Sequence, residues 1–183
     1  MKLKEILVGI EGLKVRGNLD TEITHLDKDS RNIKENGLFI AIKGFDVDGH
    51  EYVETAIKQG ASAVILQEGV NTELIKNIPE QVTIVVAKDT RYALAICSCN
   101  FYGNPSRKFK LIGITGTKGK TTTTFMAKKI LEKAGKKVGL IGTIATYIGD
   151  KKLEDSDRTT PESNKLQQTF AKMVEEGVDT VVM

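Results

Sequence analysis

The chain has 183 residues, with 27 Lys and Arg against 24 Asp and Glu, a formal charge of +3, and only 5% aromatic residues. That balance is too slight, and the aromatics too few, for a nucleic-acid surface or a base-stacking platform. No segment approaches membrane-spanning length, Met1–Val8 lacks the apolar run of a signal peptide, and Cys97 and Cys99 point to different faces of a helical pattern. Reduced, packed thiols and a soluble cytoplasmic protein with no membrane partner are therefore expected.

Two regions follow in chain order. In the first, Gly37–Ile42 reads as a buried strand and Asp48–Gln59 as an amphipathic helix with Tyr52, Val53, Ala56 and Ile57 inward and Gly60 just past its end. Ala63–Leu66 is a second buried strand, Leu74–Asn77 a helical turn stopped before Pro79, and Val82–Val86 a third strand. Asp89 or Thr90 caps a helix reaching Tyr102, and Gly103-Asn104-Pro105-Ser106 then breaks the pattern. The boundary is placed there, giving regions 1–106 and 107–183.

The second region opens on the strand before Gly113, followed by a helix over Thr121–Ala134 with Phe125, Met126, Ile130 and Leu131 inward and Gly135 closing it. Val138–Ile141 is a strand, Thr143–Ile148 continues extended, and Gly149–Lys152 reads as a hairpin turn. Pro161 fits the first turn of a helix capped by Thr160 and closed by Gly177. Val178–Met183 reads as a core strand. Strand–helix–strand alternation predicts α/β architecture: a small α/β domain, then the first part of a parallel-sheet domain. A core strand with no loop at its C-terminal edge would lack half of a site, so the chain is expected to be the front of a longer protein.

The stretch Leu111-Ile112-Gly113-Ile114-Thr115-Gly116-Thr117-Lys118-Gly119-Lys120-Thr121-Thr122 carries the most chemistry. An apolar strand runs into a glycine-rich turn that presents backbone N–H groups to an anion, and the helix after it adds its positive dipole end. Lys120 supplies a charge for outer phosphates and the Thr121 hydroxyl is placed to ligate Mg²⁺. The generic phosphate loop wants a glycine where Ile114 stands; here Gly116 carries the tight turn. Two further motifs flank this one. Asp29-Ser30-Arg31, followed by Gly37–Gly44 and Asp48-Gly49-His50, is by chemistry a polar turn that either satisfies local backbone groups or meets a nucleotide. Arg158-Thr159-Thr160-Pro161-Glu162 sets two hydroxyls at a helix start, a cap or a place for phosphate or carboxylate. His25 reads as structural, His50 as a capping or solvent-contacting residue, and Lys128, Lys129, Lys133, Lys136 and Lys137 as a solvated helix face. Lys118 stands beside the phosphates or in solvent.

The compact Gly-Thr-x-Gly-Lys-Thr-Thr loop closely resembles that of the Mur ligases and their folate and cyanophycin relatives, and all three motifs together resemble the Mur ligases that add the third stem-peptide residue. The resemblance implies a UDP-substrate-binding domain at 1–106 and the start of a central ATP-binding domain at 107–183. It implies ATP on Gly116, Thr117, Lys118, Gly119, Lys120, Thr121 and Thr122, with Mg²⁺ on Thr121. Ser30, Thr159 and Thr160 would hold the UDP-MurNAc-peptide, and the Phe45-Asp46-Val47 loop would approach the same ligand. The implied reaction is ATP-dependent amide ligation through an acyl phosphate, joining UDP-MurNAc-L-Ala-D-Glu to diaminopimelate or lysine in a monomeric enzyme. The family's metal-binding glutamate, carbamylated lysine and C-terminal domain have no counterpart in these residues, so no catalytic acid, base or nucleophile is assigned and this stretch is expected to be inactive alone. A non-catalytic nucleotide or UDP-sugar module, or another ligase of the superfamily, stays open as the alternative.

Overall fold

The structure is a computed structural model that describes residues 1–156 and 158–183. The chain divides into two compact units, Met1–Phe101 and Tyr102–Met183.

In the first unit a five-stranded sheet, ordered β1-β5-β4-β3-β2, is built from β1 (Lys14–Arg16), β2 (His25–Asp27), β3 (Gly37–Ile40), β4 (Ala61–Gln67) and β5 (Thr83–Ala87). The last four run parallel and β1 closes one edge antiparallel. Because successive strand side chains alternate faces, the uninterrupted apolar runs of β3 and β4 bury both sides. Leu38, Ile40, Ile65 and Val85 pack with α1 (Leu3–Ile6) and α4 (Thr90–Phe101), while Phe39, Val64, Leu66 and Ile84 pack with α2 (Val53–Lys58) and α3 (Thr72–Asn77). The helix expected over Asp48–Gln59 starts with a 3₁₀ turn at Gly49–Tyr52, and that turn rotates Tyr52 out of the apolar face to 42% exposure. Asp89 settles the cap of α4, accepting the N–H groups of Arg91 and Tyr92 at 2.8 and 2.9 Å.

The second unit holds β6 (Lys110–Ile112), β7 (Val138–Ile141), β8 (Ala145–Ile148), β9 (Lys151–Asp155) and β10 (Thr180–Val182) in the order β6-β10-β7-β8-β9. The sheet is mixed. β6, β10 and β7 are parallel, whereas β8 and β9 form an antiparallel hairpin on β7, turning at Gly149-Asp150. One face is covered by α6 (Ser163–Glu175), whose Phe170 and Met173 pack with Ile141, Val181 and Phe109. Close approach explains Gly139: a Cβ there would lie 2.7 Å from Met173 Sδ. The helix α5 (Lys120–Lys133) packs against β7 and β10.

Three expectations for this unit fail. Met126 and Ile130, expected inside, are 60% and 67% exposed, and the buried positions of α5 are Thr124 and Lys128. Lys128 is 3% exposed: its stem lies in the interior and its ammonium reaches Glu132 at 2.5 Å and Asp150 at 3.7 Å, so the lysine run is not one solvated face. Finally, α6 starts at Ser163 with Glu162 as its cap residue, leaving Thr160 and Pro161 in the bend before it.

Candidate functional site

The second unit gathers its chemistry at the C-terminal edge of its parallel strands, where open α/β sheets place ligands. The Ile114 N–H donates to Met183 O at 2.7 Å and the Met183 N–H to Ile112 O at 2.9 Å, so the loop departs from a pinned strand pair. It enters α5 through Gly119, whose φ of +79° lies in the left-handed region that L side chains resist. No side chain caps this end of α5. The first amides of the helix, which have no intrahelical acceptor, are thus not taken up by a capping side chain. Lys120 folds back over the loop, its Nζ 2.6 Å from Gly116 O. Thr124 is buried and donates to Thr121 O at 2.8 Å, bracing the first turn.

Ile114, Gly116, Lys120, Thr121 and Thr124 line a cavity of about 330 Å³ together with Thr115, Ile141, Thr143, Thr159, Thr160 and Met183. The structure therefore brings Gly116, Lys120 and Thr121 together with Thr159 and Thr160 across some forty residues of chain. Thr117, Lys118, Gly119 and Thr122 are exposed on the loop and first turn, outside the cavity wall. Thr143 was missed by sequence reasoning. Its position directly after a buried parallel strand and Gly142 is the signal that finds it.

In the first unit, Ser30 is 5% exposed and lines a separate cavity of about 570 Å³ with Lys28, Arg31, Gly44, Val47, Tyr52 and Arg91. Asp29 organises this wall. Its carboxylate accepts the Arg31 backbone N–H at 3.0 Å and the Arg31 guanidinium at 2.6 to 3.2 Å, and that side-chain pairing holds the carboxyl below its usual range. The Lys43–Asp48 stretch makes a tight turn closed by the Gly44 N–H donating to Val47 O at 2.9 Å; Val47 borders the cavity and Phe45 stands fully exposed at the tip.

The histidines are structural. His25 Nε2 accepts the Lys34 N–H at 2.8 Å while Nδ1 lies 3.0 Å from Thr24 Oγ1, and burial, with Lys34 second, pushes the imidazole below its ordinary value. His50 is 8% exposed rather than in solvent; its Nε2 accepts the Gln67 N–H at 3.0 Å, which leaves the proton on Nδ1, 2.6 Å from Asp48 Oδ1. Asp48, accepting the His50 N–H at 3.0 Å, caps that turn. Burial pushes the Cys97 thiol up to about 12, an inert packed group. Among the described residues no group of three or more His, Cys, Asp or Glu side chains is arranged to hold a metal, and no helix is long and apolar enough to cross a membrane.

Comparison with known proteins agrees with this layout. Residues 22–102 match the profile described as "Mur ligase family, catalytic domain" and residues 114–183 that described as "Mur ligase middle domain". The whole chain is 49% identical to the UDP-N-acetylmuramoyl-L-alanyl-D-glutamate–2,6-diaminopimelate ligase of Clostridium tetani and 50% identical to that of Clostridium botulinum, spanning 37% of the length of each. Among solved structures, the whole chain superposes on 35% of a UDP-N-acetylmuramoyl-L-alanyl-D-glutamate–2,6-diaminopimelate ligase with a TM-score of 0.73 at 19% identity. It superposes on 35% of MurF from Acinetobacter baumannii with a TM-score of 0.66 at 21% identity. Those two likenesses are of fold. Two profiles of one family, met in succession along the two units, carry the assignment: this chain belongs to the Mur ligase family.

Proposed function

We propose that the chain forms the UDP-precursor-binding and ATP-binding portion of a cytoplasmic, monomeric, ATP-dependent amide ligase of peptidoglycan precursor synthesis. The observation that carries this reading is the single cavity in which the phosphate loop, Lys120 and Thr121 meet the hydroxyls of Thr159 and Thr160. A site that couples ATP to a carboxylate must hold two anions side by side, and this one offers backbone amides and a cation on one wall and neutral donors on the other. The relatives' printed names direct the substrate assignment to UDP-MurNAc-L-Ala-D-Glu and a diamino acid, with 2,6-diaminopimelate the one they specify.

In this reading the ATP phosphates lie along Gly116–Thr122 and the α5 amides, and Lys120 leaves the Gly116 carbonyl for the outer phosphates. A D-glutamyl carboxylate oxygen attacks the γ-phosphorus; the new O–P bond forms as the bond to the β,γ-bridging oxygen breaks, and ADP departs with that electron pair. The amine of the diamino acid then attacks the acyl carbon, expelling phosphate and losing a proton as the amide forms. Thr121 fits one oxygen position of a hard cation, its half-exposed side chain facing the cavity beside the loop. Mg²⁺ held there would supply charge neutralisation between the phosphates. In the first unit, Ser30, with Arg31 and Arg91 beside it, would take the UDP end.

The test is ligation by the polypeptide read from the complete gene. With ATP, Mg²⁺, UDP-MurNAc-L-Ala-D-Glu and diaminopimelate, ADP release should require all components and yield the tripeptide precursor. Absence of ADP release above background with every diamino acid supplied would end the ligase reading in favour of a binding module.

A further inference from the structure

Thr143 follows β7 at the sheet's C-terminal edge, and its hydroxyl faces that of Thr159 at 3.4 Å. Hydroxyl pairs that satisfy one another settle at about 2.7–2.8 Å. At the observed separation each O–H can instead turn toward a third atom, and both side chains are exposed on the cavity wall. The two oxygens are held by independent elements, the end of β7 and the bend before α6, so their spacing is set by the fold rather than by each other.

What such a pair accepts follows from its neighbours. The phosphate side of the cavity is claimed by Gly116, Lys120 and the open end of α5, which together supply a cation and helix-end amides. The rest of the lining adds no further charged side chain: Thr143, Thr159 and Thr160 bring hydroxyls, and Ile114 and Ile141 bring apolar surface. A pair of O–H donors can serve both oxygens of a carboxylate or converge on one of them. The geometry points to Thr143 as a substrate-binding residue: with Thr159 it forms a hydroxyl clamp that holds the acceptor carboxylate against the phosphate loop. This rests on the ligase reading above and adds a residue to that site, together with the substrate group it selects.

The experiment measures binding to the polypeptide read from the complete gene by titration calorimetry, using ATP with Mg²⁺, UDP-MurNAc-L-Ala-D-Glu, and UDP-MurNAc-L-Ala, which lacks the D-glutamyl carboxylates. Thr143→Val keeps the shape and removes the hydroxyl; Thr143→Ser restores it. Loss of one hydrogen bond to a charged carboxylate predicts about 10- to 100-fold weaker binding of the dipeptide precursor by Thr143→Val. ATP and UDP-MurNAc-L-Ala should bind within about twofold of wild type, and Thr143→Ser should recover the precursor affinity. Unchanged precursor binding by Thr143→Val, or an equal loss for UDP-MurNAc-L-Ala, overturns the clamp alone. A wild-type chain that binds neither ATP nor precursor overturns the ligase reading and the clamp with it. Thermal unfolding matched to wild type shows that the variants are folded.

Discussion

The two units build their cavities from different materials. In the second, the wall is mostly backbone and hydroxyl: a glycine-rich loop, the uncapped end of α5, and threonines from three separate segments. In the first, charged side chains with fixed partners stand among uncharged residues, with Arg31 clamped to Asp29 and Arg91 reaching the Lys43 carbonyl at 3.5 Å. Their cores differ in the same direction. The first sheet is sealed on both faces by helices, whereas in the second unit α5 leaves Met126 and Ile130 exposed and β6 leaves Leu111 43% exposed at the sheet edge. The contrast separates two roles for apolar sequence. In the first unit it has become core, and in the second part of it remains on the surface.

The largest expected effect bears on the sealed core. Phe39 is fully buried, and Phe39→Ala should cost about 3–5 kcal/mol, read as a lower urea midpoint of the transition reported by first-unit residues. Next comes the cradle: Lys120→Ala removes a cation and should weaken ATP·Mg²⁺ binding by about 10- to 100-fold in calorimetry, with UDP binding unchanged. Ser30→Ala should do the reverse on a smaller scale, weakening UDP by about three- to tenfold and sparing ATP. Retention of UDP affinity by Ser30→Ala would remove that residue from the first cavity's working set.

A pH dependence follows from His25. Its folded-state value lies below the ordinary 6.5, so the unfolded chain binds the proton more readily and the histidine's contribution is present above that value and lost as pH falls below it. Urea midpoints taken at about pH 7.5 and 5.5, on either side of the ordinary value, should therefore fall with acid, and His25→Gln should flatten the fall. The smallest effect belongs to the open face of α5, where Met126→Ser should change stability by no more than about 0.5 kcal/mol. A cost like that of Phe39→Ala would mean that this face is covered in solution.

What the sequence made legible follows the same division. Gly116 to Thr122 is one contiguous signature, so loop, helix and cation could be read together, and the buried runs Gly37–Ile40, Ala61–Gln67 and Val138–Ile141 announced their strands by hydrophobicity alone. β1 escaped notice because Lys14, Val15 and Arg16 are all exposed, and it pairs through backbone on an edge. α5 misled because its apolar residues suggested a core face, while tertiary packing buried Thr124 and the stem of Lys128. Thr160 resembled a cap because Thr-Pro often starts a helix, yet α6 begins at Ser163. Thr143 was passed over although it directly follows a buried strand and Gly142; the part no local pattern encodes is its 3.4 Å approach to Thr159.

The central claim is that a nucleoside triphosphate docks on the amides and ammonium at the start of α5. Amide chemical shifts of the isotopically labelled 183-residue chain, titrated with ATP and Mg²⁺, test it most directly. The account predicts saturable shifts largest at Gly116–Thr122 that need about 10- to 100-fold more ATP in Lys120→Ala; shifts confined to residues around Ser30, with the Gly116–Thr122 amides unmoved, would contradict it.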